Sequence, residues 1–257
     1  MSTNMPKAQR REAAREEARK LREAQAARQR RNRNLLIGGV IAILVIVAIA
    51  VFAIVRDDAQ PAIEDVAVVP ANSSIEDGGI SLGADLVAGT ANEGAPVLDV
   101  YLDFTCSYCG QFEEINGEAI DELVTAGAAT VVYHPMPWLS EPDWTNFSAR
   151  SMNAAATVAD RAPAAYNDFQ HALFTLFADA AGTEPTDEQI AATALGAGVP
   201  QEVVDTFTDR TFIEWGAASR AQFTNDGYRG TPTVLIDGEQ FEGWTEPGAL
   251  AAALDAA

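Results

Sequence analysis

The chain of 257 residues has only two cysteines and two histidines. Together these make one possible set of four metal ligands, but His134 and His171 lie 37 apart without finger-type spacing, which argues against a zinc site. A second dithiol is excluded, so any disulfide exchange at the one cysteine pair would need a separate partner to turn over. Lysine is absent after Lys20, and residues 57–257 hold five Arg against 33 Asp and Glu. That part of the chain offers no basis for a nucleic-acid surface; its acidity favours solubility and repels acidic partners. No internal repeat is visible.

The basic residues crowd the other end. Residues 1–34 hold eleven Lys or Arg and four Glu, closing on Arg28, Arg30, Arg31 and Arg33. Next comes an uncharged run of 21 residues, LLIGGVIAILVIVAIAVFAIV, at 35–55. As a helix, about 20 residues at 1.5 Å each span a hydrocarbon core of about 30 Å. A cleaved signal peptide would carry a shorter apolar region of about 7–15 residues, and the small-residue pattern Ala48-Ile49-Ala50 lies inside the run, so an uncleaved transmembrane anchor is expected. The flanking Arg residues place 1–34 in the cytoplasm as a basic tail, against anionic lipid head groups, and the acidic part outside the cell membrane. The tail has good helix formers and a Glu16–Lys20 pair but no apolar face, so no fold is assigned to it. Residues 56–77, rich in Asp, Ala, Pro and Val without a period, read as a linker.

The remainder, 78–257, suffices for one domain with its own core. Val97 to Phe104, after the turn Gly94-Ala95-Pro96, predicts a central strand. A helix is predicted from about Cys106 to Thr125, ended by Gly127, and a strand over Ala128 to Tyr133, broken by His134-Pro135-Met136-Pro137. From about 143 to 227 the pattern is helical. Tyr166, Phe169, Leu173, Leu176 and Phe177 form one apolar stripe, read as core, and Thr186 with Gln189 predicts a capping box. Phe207, Phe212, Trp215 and Phe223 predict a last long helix. Val234 to Ile236 reads as a strand, Asp237-Gly238 as a hairpin turn and Gln240 to Gly243 as its partner. A closing helix follows from about Glu246, with Pro247 in its first turn. The order β-α-β, helices, β-β-α describes an α/β domain with a helical subdomain inserted at about 143–227.

Cys106 and Cys109 stand at the junction of the first predicted strand and helix, in Asp103-Phe104-Thr105-Cys106-Ser107-Tyr108-Cys109. A cysteine in the first turn of a helix faces unpaired N–H groups and the positive end of the helix dipole, and both favour thiolate. Three-residue spacing puts the side chains on one helix face, with Cβ atoms about 5–6 Å apart, near enough to close a disulfide after modest movement. A structural staple is the competing reading, but so short a loop gains little entropic stabilisation from closure. The reversible dithiol is the stronger reading. His134 reads as a strand-end residue with local hydrogen bonds.

Thr231-Pro232 heads the late strand, where a residue without a ladder donor belongs. A cis bond there would turn the Thr231 N–H and C=O toward an extended partner chain. The Cys-x-x-Cys after a strand, the Thr-Pro before a late strand and the helical insertion together resemble the DsbA-like branch of the thioredoxin superfamily over roughly 78–257. These are thiol:disulfide oxidoreductases of extracytoplasmic compartments. The resemblance implies a thioredoxin-like fold with an inserted helical subdomain, here preceded by one N-terminal transmembrane helix. It implies Cys106 as the attacking cysteine, Cys109 as the resolving one, and Thr231 with cis-Pro232 as the contact to substrate backbone. No metal or organic cofactor is expected beside the redox-active Cys106–Cys109 disulfide. The chain departs from the family at two places. Ser107-Tyr108 stands where strongly oxidising relatives commonly have Pro-His, and a phenol cannot supply the imidazole's positive charge. Val100 stands six positions before the first cysteine, where many relatives carry a proton-relaying carboxylate. Asp103 is the substitute candidate, with a solvated or capping role as the alternative. Ser107, Tyr108 and Asp103 are thus expected modulators of the pair.

The expected activity is introduction of disulfides into exported proteins. The expected partners are exported or unfolded proteins with thiols, a membrane redox protein for recycling, and the bilayer through the anchor, with no nucleic acid. A membrane-anchored reductase or isomerase and a non-catalytic peptide-binding module are the alternatives. The intact cysteine pair speaks against the last.

Overall fold

The computed structural model describes residues 62–140 and 144–257, with Arg19, Lys20, Gly39 and residues 44–47 of the N-terminal part. The expected cytoplasmic tail, 1–34, and transmembrane helix, 35–55, lie outside the described residues apart from those few positions. Among the described residues no helix is long and apolar enough to cross a membrane.

In chain order the domain carries β1 (Ile80–Leu82), β2 (Val97–Leu102), α1 (Ser107–Thr125), β3 (Thr130–Pro135), α2 (Phe147–Arg161), α3 (Tyr166–Asp179), α4 (Asp187–Gly196), α5 (Gln201–Val204), α6 (Ile213–Asn225), β4 (Thr233–Ile236), β5 (Glu239–Gln240) and α7 (Ala249–Leu254). The strands form one sheet in the order β1-β3-β2-β4-β5. Central β2 runs parallel to β3, with Leu98 opposite Val131, and antiparallel to β4, with Leu98 opposite Ile236. The two-residue period of a strand sorts its side chains. Leu98, Val100 and Leu102 join Phe112, Ile120 and Val124 of α1 in the main core, whereas Tyr101 enters a second cluster with Met136, Phe223 and Leu235.

The helical layer α2 to α6 lies between β3 and β4 in sequence, as expected. α2 buries Ala149, Ala154, Ala155, Ala156 and Ala159, small side chains that let neighbouring helices come close. On α3 the predicted stripe is core at Tyr166, Phe169 and Leu173 and half-buried at Leu176 and Phe177. Thr186 and Gln189 form the capping box of α4.

The structure departs from the sequence reading at five places, each with a local cause. β1 is three residues long, too short for a period to show. β3 runs through His134 and Pro135. Its neighbour β1 reaches only Tyr133, and Met136 N–H donates to Leu102 O, so the amide that Pro135 lacks would have faced the open side. The last long helix is interrupted, because Arg210 adopts a left-handed conformation (φ 54°) beside its ion pair with Asp187 and α6 starts only at Ile213. The hairpin turn Asp237-Gly238 has positive φ at both residues, 49° and 82°, so β5 begins at Glu239 instead of Gln240, and α7 begins after Pro247. The expected linker, 56–77, is docked on the domain from residue 62 onward. Ile63 enters the main core, Ala71 N–H donates to Asp160 Oδ1 at 2.8 Å, and Asn72 Nδ2 donates to Ala159 O at 2.8 Å.

Candidate active site

β2 ends at Leu102, and Asp103-Phe104-Thr105 turns the chain into α1. The Asp103 carboxylate holds that turn. Its Oδ1 accepts from the Thr105 N–H and hydroxyl, both at 2.7 Å. Its Oδ2 accepts from Leu139 N–H at 2.8 Å and from the Ser148 hydroxyl at 2.7 Å. A carboxylate has about four acceptor positions, and all are given to donors that tie β2, the loop after β3, and α2 together. Asp103 is 1% exposed, so of the solvated or capping alternatives to a relay role the side chain fills the capping one.

Cys106 is the N-cap residue of α1, and Cys109 lies inside its first turn. Both are free thiols, with exposures of 8% and 1%. Cys106 Sγ donates to the carbonyl of Thr231 at 3.2 Å, across 125 residues of sequence. The Thr231–Pro232 bond is cis, and the Thr233 hydroxyl donates to Gly230 O at 2.7 Å within the same loop. The Thr231 hydroxyl is buried and has no partner among the described residues. While Cys106 is protonated its S–H goes to the Thr231 carbonyl; once it ionises, that hydroxyl is free to donate to the sulfur.

The two thiols are driven apart in acidity. Cys106 is lowered to about 6. A hydrogen bond from the Cys109 thiol is the largest cause; burial opposes it, and the Thr231 hydroxyl and the N–H groups of Cys109 and Tyr108 add to it. Cys109 is raised well above its ordinary value, first by burial, then by its bond to Cys106 and repulsion from that sulfur. One sulfur is ready to attack, and the other keeps its proton in the core.

Ser107 and Tyr108 are both exposed, Tyr108 at 64%. Tyr108 joins Tyr228, Thr231, Pro232 and Trp244 around a groove of about 460 Å³. Val100 is apolar core. His134 lies away from the thiols, bonded to Asp99 at 3.0 Å and stacked on Tyr101 at 4.0 Å. His171 of α3 bridges two carboxylates of α1, Glu113 through Nδ1 and Asp121 through Nε2. Sequence reasoning missed this cluster. Its one signal is Glu113, Gly117 and Asp121, four residues apart on one helix face.

Two thiols held at such different acidity, with a partner loop against the ionisable one, suit repeated making and breaking of disulfides, and the molecule is of the thiol:disulfide oxidoreductase class. It belongs to the thioredoxin family, whose model, described as Thioredoxin, matches residues 82–256. Among curated proteins no sequence match is found. Several solved structures are similar. MdbA, a thiol-disulfide oxidoreductase from Actinomyces oris, is 28% identical with a TM-score of 0.63, covering 77% of this chain and 100% of that one. Oxidised DsbA from Mycobacterium tuberculosis is 27% identical with a TM-score of 0.59, covering 69% and 91%. The reduced disulfide bond oxidoreductase DsbG of the same organism is 27% identical with a TM-score of 0.58, covering 69% and 86%. The expected DsbA-like kinship agrees with these neighbours.

Proposed function

We propose that this protein is a membrane-anchored oxidase that introduces disulfides into exported proteins on the outer side of the cell membrane. What supports the reading is the free Cys106 thiol set against the carbonyl of Thr231 in the cis-Pro232 loop, its pKa lowered beside Cys109, together with the likeness to MdbA and DsbA. Stabilising the Cys106 thiolate stabilises the reduced protein and so makes its disulfide the better oxidant. In the oxidised protein a substrate thiolate attacks Cys106 Sγ, the Cys106–Cys109 bond breaks, and Cys109 leaves with the electron pair and takes a proton. A second substrate thiolate then attacks the substrate sulfur of the mixed disulfide and expels Cys106 as thiolate. The substrate gains one disulfide, and the protein holds the two electrons. The loop at Thr231 and Pro232 holds the substrate backbone beside the sulfurs. With no second dithiol in the chain, a membrane redox partner restores the Cys106–Cys109 disulfide, and the anchor at 35–55 keeps both on one surface. The charge asymmetry of the sequence supports this orientation.

The test is the reduction potential of the full-length protein in detergent, set against glutathione buffers, with the thiols trapped. A value well above the thioredoxin range of about −270 mV is expected for an oxidase. A value near or below it would turn the reading into a reductase, and absence of exchange into a peptide-binding module.

A further inference from the structure

The proposed exchange at Cys106 requires a bed for the polypeptide around the reacting thiol, and the Thr231 loop offers one side of it. A second cavity, of about 750 Å³, shares no residue with the groove at Thr231 and opens where α1 meets α3, lined by Phe104, Cys106, Phe174, Phe177 and Ala178. It extends to Glu113 and His171. These same two residues also line a third cavity of about 730 Å³, which follows α1 past Glu118, Asp121 and Glu122 to Thr125. The two cavities make one trough beside α1, apolar next to Cys106 and acidic farther along.

The carboxylates of the trough fall into two rows. Glu113 and Asp121 share the His171 imidazolium, and Asn167 Nδ2 donates to both oxygens of Asp121 at 3.0 Å. Gly117 stands between them, where a Cβ would lie 2.5 Å from Glu113 Oε1 and the carboxylate end would have to shift. The second row is Glu114, Glu118 and Glu122, one helical turn apart and all exposed. None has an ion-pair partner among the described residues. Like charges four apart on a helix repel, and cations supplied from outside would relieve them.

We propose that this trough binds the stretch of an unfolded substrate next to its reacting cysteine, and that it selects an apolar residue beside the cysteine followed by Lys or Arg. Helix rise puts Glu114 about 12 Å and Glu122 about 24 Å from Cys106 along α1. An extended chain at about 3.3 Å per residue covers these distances in roughly four and seven residues. The bound segment therefore has its apolar side chain one or two positions from the cysteine and its cations about four and seven positions away.

The test reacts oxidised full-length protein with synthetic thiol peptides. In these the cysteine is followed, or preceded, by one phenylalanine and two lysines at the stated positions, with glutamate-for-lysine and serine-for-phenylalanine controls. In about 0.05 M salt one lysine peptide is expected to reduce the protein about fivefold faster than its glutamate twin, and the gap to close in about 0.5 M salt. The triple variant E114Q/E118Q/E122Q should lose the lysine preference, whereas E76Q/E93Q/E202Q, with the same change in net charge, should keep it. Ala178→Arg, at an exposed position of α3, should abolish the advantage of phenylalanine over serine. Equal rates for all peptides, or equal loss in both triple variants, would overturn the trough as the selecting surface. Exchange with glutathione separates the two proposals: if it proceeds while the peptides show no preference, only the trough fails. If glutathione does not react either, the oxidase reading fails as well.

Discussion

At Cys106 a low pKa is reached without a cationic side chain between the cysteines. Where strongly oxidising relatives commonly place an imidazole, this chain has Ser107 and Tyr108, and the charge is instead met by the Cys109 thiol, the Thr231 hydroxyl and two helix N–H groups. Alkylation of the reduced protein by neutral iodoacetamide should therefore follow a single ionisation with a midpoint of about 6, while Cys109 stays unmodified. Mass spectrometry across a pH series reads both. Thr231→Val keeps the shape and the carbonyl but removes the hydroxyl, and should raise that midpoint by roughly 0.5–1 pH unit. The sign of the linked stability follows, because the Cys106 value is depressed on folding. Its stabilisation of the reduced form is complete above the unfolded value of about 8.5 and is lost as pH falls through about 6.

Between elements, two polar joints hold the catalytic helix, one buried and one half-buried. Asp103 fastens the start of α1 to the loop after β3 and to α2 through four donors. Asp103→Ala would leave those donors unpaired and should cost about 3 kcal/mol in urea unfolding. The second joint is His171 of α3 against α1. Burial alone would lower the imidazole, but the bonds to Asp121 and Glu113 outweigh it and raise it to about 10. A folded value above the unfolded value of about 6.5 gives stability that is full below that pH and is lost as pH rises through about 10. In a Cys106→Ser/Cys109→Ser background, where no thiol titrates, the stability gap between the parent and His171→Gln should shrink steadily over that window. A gap that stays constant with pH would mean that His171 packs without carrying charge.

At the scale of the whole molecule, the reduction potential is a difference in stability between two forms of one fold, with about 30 mV equal to 1.4 kcal/mol. The oxidase reading therefore requires the reduced protein to melt above the oxidised one, which differential scanning calorimetry checks against the measured potential. Much of this architecture is legible in the sequence. The helix after the cysteines, the α3 stripe, the capping box of α4 and the Asp237-Gly238 turn are set by periodicity, caps and turn chemistry, which act within a few residues. The placement of Cys106 at a helix N-terminus belongs to the same group, and so does its bias toward thiolate. Other features depend on segments that meet only when the sheet closes. β1 and the docked Ile63 segment are too short to carry a pattern of their own. The four donors around Asp103, the His171 bridge and the trough beside α1 each combine residues from two or three separate elements. The contact of Cys106 with Thr231 depends on β2 and β4 lying side by side in register. Local order sets where the reactive thiol is and most of its bias toward thiolate, through the Cys109 thiol and the first helix N–H groups; the Thr231 contact, the burial that opposes ionisation and the surfaces around the thiol were decided by long-range packing, because those partners meet only in the assembled core.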